Sequence, residues 1–190
     1  MSPNNALIHR RTALTRLAAW PVVAATPFLA SCAGPQVQTY AQEKPQLDLR
    51  TYFNGTLDAW GVFTDRSGQV VKSFTVVMHC SWNGEEGVLD EDFVYSDGST
   101  QKRIWRLSHQ GEGRYTGRAD DVVGQASGRT RGNAFNWAYT LALPVDGRVW
   151  HVQFDDWMYL MDERVMLNKA SMSKFGIFLG EVTLSFTKRA

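Results

Sequence analysis

The sequence predicts an all-β fold: a single antiparallel up-and-down β-barrel, with a two-sheet β-sandwich as the alternative. Three observations predict it. From Thr56 onward apolar residues alternate with a period of two, not the 3.6 of a helix. Turn chemistry punctuates the alternation at Asp65-Arg66-Ser67-Gly68, Asn83-Gly84, Ser96-Asp97-Gly98, Gln110-Gly111-Glu112-Gly113 and Asp146-Gly147. Aromatic residues make up 12% of the chain, and a closed sheet is the simplest way to bury so many on one face.

Residues 1–31 read as a lipoprotein signal peptide. Arg10, Arg11 and Arg16 precede an apolar stretch from Leu17 to Ala30, and no acid occurs before Cys32. The stretch is too short, and too broken by Pro21 and Pro27, to span a bilayer as a helix. Leu29-Ala30-Ser31-Cys32 has the form of a lipobox, so cleavage before Cys32 and acylation of its thiol are expected. Ala33, rather than Asp, after the cysteine favours the outer membrane, with the domain on its periplasmic face. The Arg10-Arg11 pair also carries a faint twin-arginine signal, which leaves the export route open.

Residues 32–46 then form the lipidated cysteine and a polar tether, and 47–190 form the barrel domain. Cleavage removes three basic residues and no acidic one, leaving 159 residues with 17 basic and 19 acidic side chains. That size suits one domain with its own core. The balance gives no electrostatic footprint for nucleic acid, and a monomer is expected. Once Cys32 is acylated, Cys80 has no cysteine partner, and its place in an apolar run marks it as a small core residue.

Within the domain, strand-like runs fall at 56–64, 70–80, 87–95, 101–108, 113–119, 133–144, 148–160 and 178–188. The Gly-rich stretch 117–132 reads as turns and bulges, with Asp120-Asp121 in a solvated loop. Residues 162–170 fit a short helix or a further strand, with Ser171–Gly176 as a loop.

Alternation places one set of side chains inside. It includes Phe74, Val76 and Met78; Leu89, Glu91, Phe93 and Tyr95; Arg103, Trp105 and Leu107; and Phe135, Trp137, Tyr139, Leu141 and Leu143. Trp150, Val152, Phe154, Asp156, Met158 and Leu160 continue it, with Phe178, Val182, Leu184 and Phe186 at the end. Three charges interrupt this apolar set: Glu91, Arg103 and Asp156. Buried charges need partners, so Arg103 either pairs internally with Asp156 or Glu91, or meets the acidic head of an amphipathic ligand.

Chemistry of other kinds is thinly represented. Asp155 and Asp156 point to opposite faces of a strand and cannot act as a carboxylate pair. His79, His109 and His151 share no ligand spacing, so no metal is expected, and His151 faces outward, which disfavours haem. No cofactor is implied.

Several motifs carry a resemblance. They are Leu47-Asp48-Leu49 with Tyr52-Phe53-Asn54-Gly55, Ala59-Trp60-Gly61, Leu89-Asp90-Glu91-Asp92-Phe93, Asp97-Gly98, Arg103-Ile104-Trp105 and Gly132-Asn133-Ala134. Asp155-Asp156-Trp157-Met158 and Asn168-Lys169-Ala170-Ser171-Met172-Ser173-Lys174-Phe175-Gly176 are the most specific. Together they resemble a family of proteobacterial lipoproteins known only as a domain of unknown function, from about Leu47 to Lys188. The resemblance implies no catalytic residues. It implies a lipid-linked role, because the family's genes lie near those for cyclopropane-type fatty acid synthesis.

The expected function is therefore a non-enzymatic, membrane-anchored barrel of lipocalin-like build that binds a fatty acyl chain, a phospholipid or another apolar ligand. Its candidate site is Arg103, Trp105, Trp137, Trp150, Phe154, Asp156, Glu91 and Asn168. Two other classes stay open: an envelope enzyme on modified lipids using Asp156, Asn168 and Tyr159, and a filled barrel that holds a partner through Trp157, Tyr159 and His151.

Overall fold

A computed structural model describes residues 34–190 apart from Asp146. The expected signal peptide and the lipidation site at Cys32 lie outside the described residues, as does Asp146 of the expected Asp146-Gly147 turn.

Ten strands build the wall. They are β1 Gly55–Asp65, β2 Val70–Asn83, β3 Glu86–Tyr95, β4 Thr100–His109 and β5 Arg114–Arg118, then β6 Ala126–Arg131, β7 Ala134–Val145, β8 Arg148–Leu160, β9 Val165–Lys174 and β10 Ile177–Lys188. Each pairs antiparallel with its neighbours in sequence, and β1 pairs with β10 from Leu57↔Lys188 to Asp65↔Gly180. The sheet is thus a closed up-and-down barrel rather than a sandwich. Closure leaves no edge strand unpaired. Residues 34–190 form one compact unit in which every described strand finds both partners, a closed sheet with its own core, which is what a domain needs to fold by itself.

Two strands exceed the eight that alternation reveals. β6 turns only Ala126, Gly128 and Thr130 inward, because the neighbouring rings of Phe135 and Trp137 already fill that part of the interior. A Cβ at Gly128 would overlap the Asn136 carbonyl and both rings, so glycine is required there for close approach. β9 alternates too, but its inward set includes the polar Asn168 and its outward set includes the exposed Leu167, which hides the pattern. Barrel diameter grows roughly linearly with strand number, so the two extra strands make room inside.

The two ends differ. At one end the chain from Leu47 to Asn54 forms a plug. Asp48 caps the short helix α1 (Leu49–Tyr52) by accepting a hydrogen bond from the Arg50 amide at 2.8 Å. Leu47, Leu49, Tyr52 and Phe53 are all buried. The Trp82 indole donates to the Phe53 carbonyl at 2.9 Å, and the Tyr52 hydroxyl donates to the Arg164 carbonyl at 3.0 Å. The opposite end carries the β1–β2, β3–β4, β5–β6, β7–β8 and β9–β10 connections.

The segment expected as a free tether is, from Val37 onward, seated on the outer wall. Tyr40 packs against Trp157 and Tyr159 with ring centroids 6.0 and 5.3 Å away, and Gln38 accepts from Arg131 at 3.1 Å. Gly132, at φ 55°, lets the Tyr40 backbone approach where any side chain would collide.

Candidate functional site

Inward side chains of the wall, with Leu49 and Phe53 of the plug as its floor, enclose a cavity of about 180 Å³. Trp105 meets Trp137 edge-on at 5.7 Å and Tyr139 at 5.4 Å, and Tyr139 stacks on Phe154 at 5.0 Å. Phe63, Phe74, Phe93 and Tyr95 line the part nearer the loop end. Inward residues deep in the barrel, such as Met78, Leu89, Phe135 and Met166, are buried. Those nearer the loop end, such as Phe63, Phe93, Tyr95 and Leu143, are half-buried. The mouth therefore lies among the loops.

Polar groups converge on this apolar interior. Arg103 on β4 forms a bidentate pair with Asp121, its Nε 2.9 Å and its NH2 2.7 Å from Oδ2. Asp121 sits in the β5–β6 connection, which continues the wall rather than hanging in solvent. Val122 bridges to Leu141, the Val123 amide donates to the Thr140 carbonyl at 2.8 Å, and the Ala142 amide donates to the Asp121 carbonyl at 2.8 Å. The expected partner of Arg103 is thereby corrected. Neither Asp156 nor Glu91 holds its fork, because the chain around Asp121 is pinned close enough to fill it. Burial opposes the charge of Arg103, but Glu91 and Asp121 together hold its pKa above the ordinary arginine value.

Asp156 on β8 accepts a hydrogen bond from the Asn168 side-chain amide on β9 and another from the Tyr139 hydroxyl at 3.3 Å. Asn168 also donates to the Trp157 carbonyl at 3.3 Å, while its own Oδ1 is buried without a partner. Glu91 lies on β3 between Met78 and Arg103, and no hydrogen bond from the described residues reaches its carboxylate. It keeps some exposed surface because it faces the cavity rather than packed atoms. Burial pushes the Glu91 carboxyl up to about 7 against the pull of Arg103. Burial likewise raises Asp156 to about 6, opposed by the Asn168 and Tyr139 hydrogen bonds. The Tyr139 hydroxyl is pushed well above its ordinary value by burial and by Asp156.

The cavity gathers Arg103, Trp105, Trp137, Phe154, Asp156, Glu91 and Asn168. Trp150 is not among them. It shares their phase, but β8 runs past the wall at the loop end, where Trp150 is exposed and lies under the Lys174 ammonium at 3.8 Å. Asp121, Tyr139 and the plug residues Leu49 and Phe53 belong to the site but were not singled out from the sequence. Tyr139 was legible as an inward aromatic, whereas Asp121 carries no alternation signal at all.

The polar groupings of the other two classes do not assemble. Tyr159 stands on the outer wall, its hydroxyl 3.3 Å from that of Tyr40, while Asp156 and Asn168 face inward. Trp157 is buried beneath Tyr40, so it offers no surface. Cys80 is buried, and burial pushes its thiol up to about 12, which suits packing rather than reactivity. Among the described residues no group of three or more His, Cys, Asp and Glu side chains has the geometry to hold a metal ion.

The loop end exposes several large apolar side chains among its charged turn residues. Phe175 is 87%, Val149 65%, Val71 64% and Ile177 61% exposed, with Val70, Trp150 and Phe178 beside them. Phe178, expected inside, is displaced by a bulge between Phe178 and Gly180. Exposed apolar groups gathered this way mark a surface that meets something other than water.

Over residues 26–188 the chain matches a family described as a protein of unknown function, DUF3833. The chain belongs to that family. No curated protein matches it. Among solved structures, it is similar to the S-type phycobiliprotein lyase CPES from Guillardia theta, at 7% identity and a TM-score of 0.55, over 82% of this chain and 99% of the lyase. A de novo designed fluorescence-activating β-barrel is 12% identical with a TM-score of 0.41, over 75% of this chain and 99% of the design. At 7% identity the likeness to the lyase shows the barrel fold.

Proposed function

We propose that this DUF3833 member is a non-enzymatic envelope lipoprotein whose barrel binds or carries one apolar ligand, a fatty acyl chain or a similarly slender molecule. The aromatic-walled cavity of about 180 Å³ with a single plugged end is the observation that carries this function. It exceeds the roughly 150 Å³ at which a dry apolar cavity accepts an aromatic ring. It is smaller than the roughly 300 Å³ at which sites for drug-sized ligands begin. One extended chain suits that range. The exposed apolar side chains of the loop end support entry of such a ligand directly from a membrane or an apolar carrier.

The lipobox at Leu29–Cys32 supports anchoring through lipid on Cys32 at the periplasmic face of the outer membrane. The likeness to the phycobiliprotein lyase extends to the barrel fold, and the ligand class proposed here rests on the cavity.

Native mass spectrometry of residues 34–190 purified from a bacterial envelope tests the function. One co-purifying apolar molecule per chain, released by solvent extraction, is expected. A bare mass that palmitate, decanol and phospholipid all fail to shift contradicts it.

A further inference from the structure

We infer that the polar groups lining the cavity select a ligand whose head group donates hydrogen bonds, an amine, amide or alcohol on an apolar chain, and disfavour a carboxylate or phosphate. This rests on the apolar-ligand function proposed above and narrows it to a head-group class. The intuitive choice for a barrel with one inward arginine is a fatty acid, its carboxylate clasped by the guanidinium. The geometry points the other way.

Arg103 is the only cationic side chain among the described residues that line the cavity, and its Nε–Nη2 edge is already taken. Asp121 takes both Nε and NH2, with contacts of 2.9 and 2.7 Å to one carboxylate oxygen. The other face of the guanidinium lies 5.4 Å from the Phe93 ring centroid. An incoming carboxylate would find only Nη1 free of a hydrogen bond, and would add a fourth carboxylate to Asp121, Glu91 and Asp156 around a single guanidinium.

Among the described residues Arg103 Nη1 has no hydrogen-bond acceptor, whereas carboxylates outnumber the guanidinium three to one, as Glu91, Asp121 and Asp156. Glu91 presents a carboxylate that no described residue hydrogen-bonds. Asn168 is 2% exposed, its amide nitrogen is committed to Asp156 and the Trp157 carbonyl, and its Oδ1 has no partner. Asp156 receives only Asn168 and Tyr139. A carboxylate without a donor in such a setting is costly, and a donor head group seated against Glu91 lowers that cost. An anionic head would instead stand beside Glu91 and Asp156, where repulsion in a low-dielectric interior is strong.

Displacement of the neutral apolar fluorophore N-phenyl-1-naphthylamine from residues 34–190 at pH 8, by decylamine, decanol and decanoate of equal chain length, tests the inference. Decylamine and decanol are expected to displace it at concentrations at least tenfold lower than decanoate. In Glu91→Gln the advantage of decylamine over decanol is expected to shrink. In Asp121→Asn, which releases the Arg103 fork, decanoate is expected to gain. Decanoate binding as well as or better than the other two in the wild type overturns the head-group inference and leaves the apolar-ligand function standing. Failure of the barrel to take up the fluorophore or any of the three compounds overturns both. The wild-type comparison decides the matter even where a variant fails to fold.

Discussion

The two ends of the barrel are built from the same strands and the same alternation, yet one is sealed and the other is not. At the sealed end Leu49, Tyr52 and Phe53 fill the space between inward residues, and backbone carbonyls at Phe53 and Arg164 are hydrogen-bonded by Trp82 and Tyr52. At the loop end the inward aromatics Phe63, Phe93 and Tyr95 are only half-buried, and Phe175, Ile177 and Val149 face solvent. Burial of apolar area stabilises a fold whichever residues supply it. An end that declines to bury it therefore gives up stability in exchange for access, as ligand-binding regions commonly do.

The contrast is broken most severely at the plug. Phe53→Ala removes a buried ring from both the plug and the floor of the cavity, and is expected to cost about 3–5 kcal/mol. Thermal or urea unfolding measures it, and a cost under about 1 kcal/mol would show that the plug contributes little. The cavity wall responds to pH next. The Glu91 carboxyl loses its proton near 4.5 in the unfolded chain and near 7 in the fold, so raising the pH across that interval favours unfolding. Stability is expected to fall by on the order of 3 kcal/mol between about pH 4.5 and pH 7. Asp156, raised from 3.8 to about 6, adds a comparable fall over the same interval, so Glu91→Gln should roughly halve the slope in melting curves recorded across it.

Close packing in the wall gives an intermediate effect. Gly128→Ala forces a methyl group against Asn136 and Trp137 and is expected to cost about 1–3 kcal/mol, read from the shift in the urea midpoint. The loop end should be the least sensitive. Phe175→Ser and Ile177→Ser are expected to change stability by less than about 0.5 kcal/mol. The pair should nonetheless weaken co-sedimentation of residues 34–190 with phospholipid vesicles several-fold. Destabilisation of the fold by these two substitutions, as large as that at Phe53, would erase the distinction between the ends.

Alternation made the wall legible wherever strands carry large apolar residues on one face, and it placed Glu91, Arg103, Trp105, Trp137, Phe154 and Asp156 on the inner side. It failed where the inner face is made of small residues, because Ala126, Gly128 and Thr130 give a hydrophobicity reading no different from a loop. Phase also carries no information about depth. Trp150 shares the phase of Phe154, but it stands beyond the wall, where inward no longer means inside. Asp121 was illegible for a third reason: it reaches Arg103 through backbone pairing of an irregular segment with β7, a tertiary contact with no local pattern. Tyr40 shows the same limit, since its seat depends on Gly132 and Trp157, both far along the chain.

Quenching of tryptophan fluorescence by a brominated alkyl chain tests the cavity most directly. Trp105 and Trp137 form its wall, whereas Trp60 and Trp150 are exposed outside it. Titration of residues 34–190 with 10-bromodecanol is expected to quench saturably at one equivalent per chain. Most of that quenching should disappear when Trp105 and Trp137 are both replaced by phenylalanine. Quenching that fails to saturate, or that survives the double replacement undiminished, would place the chain on the outer surface and contradict a ligand-filled barrel.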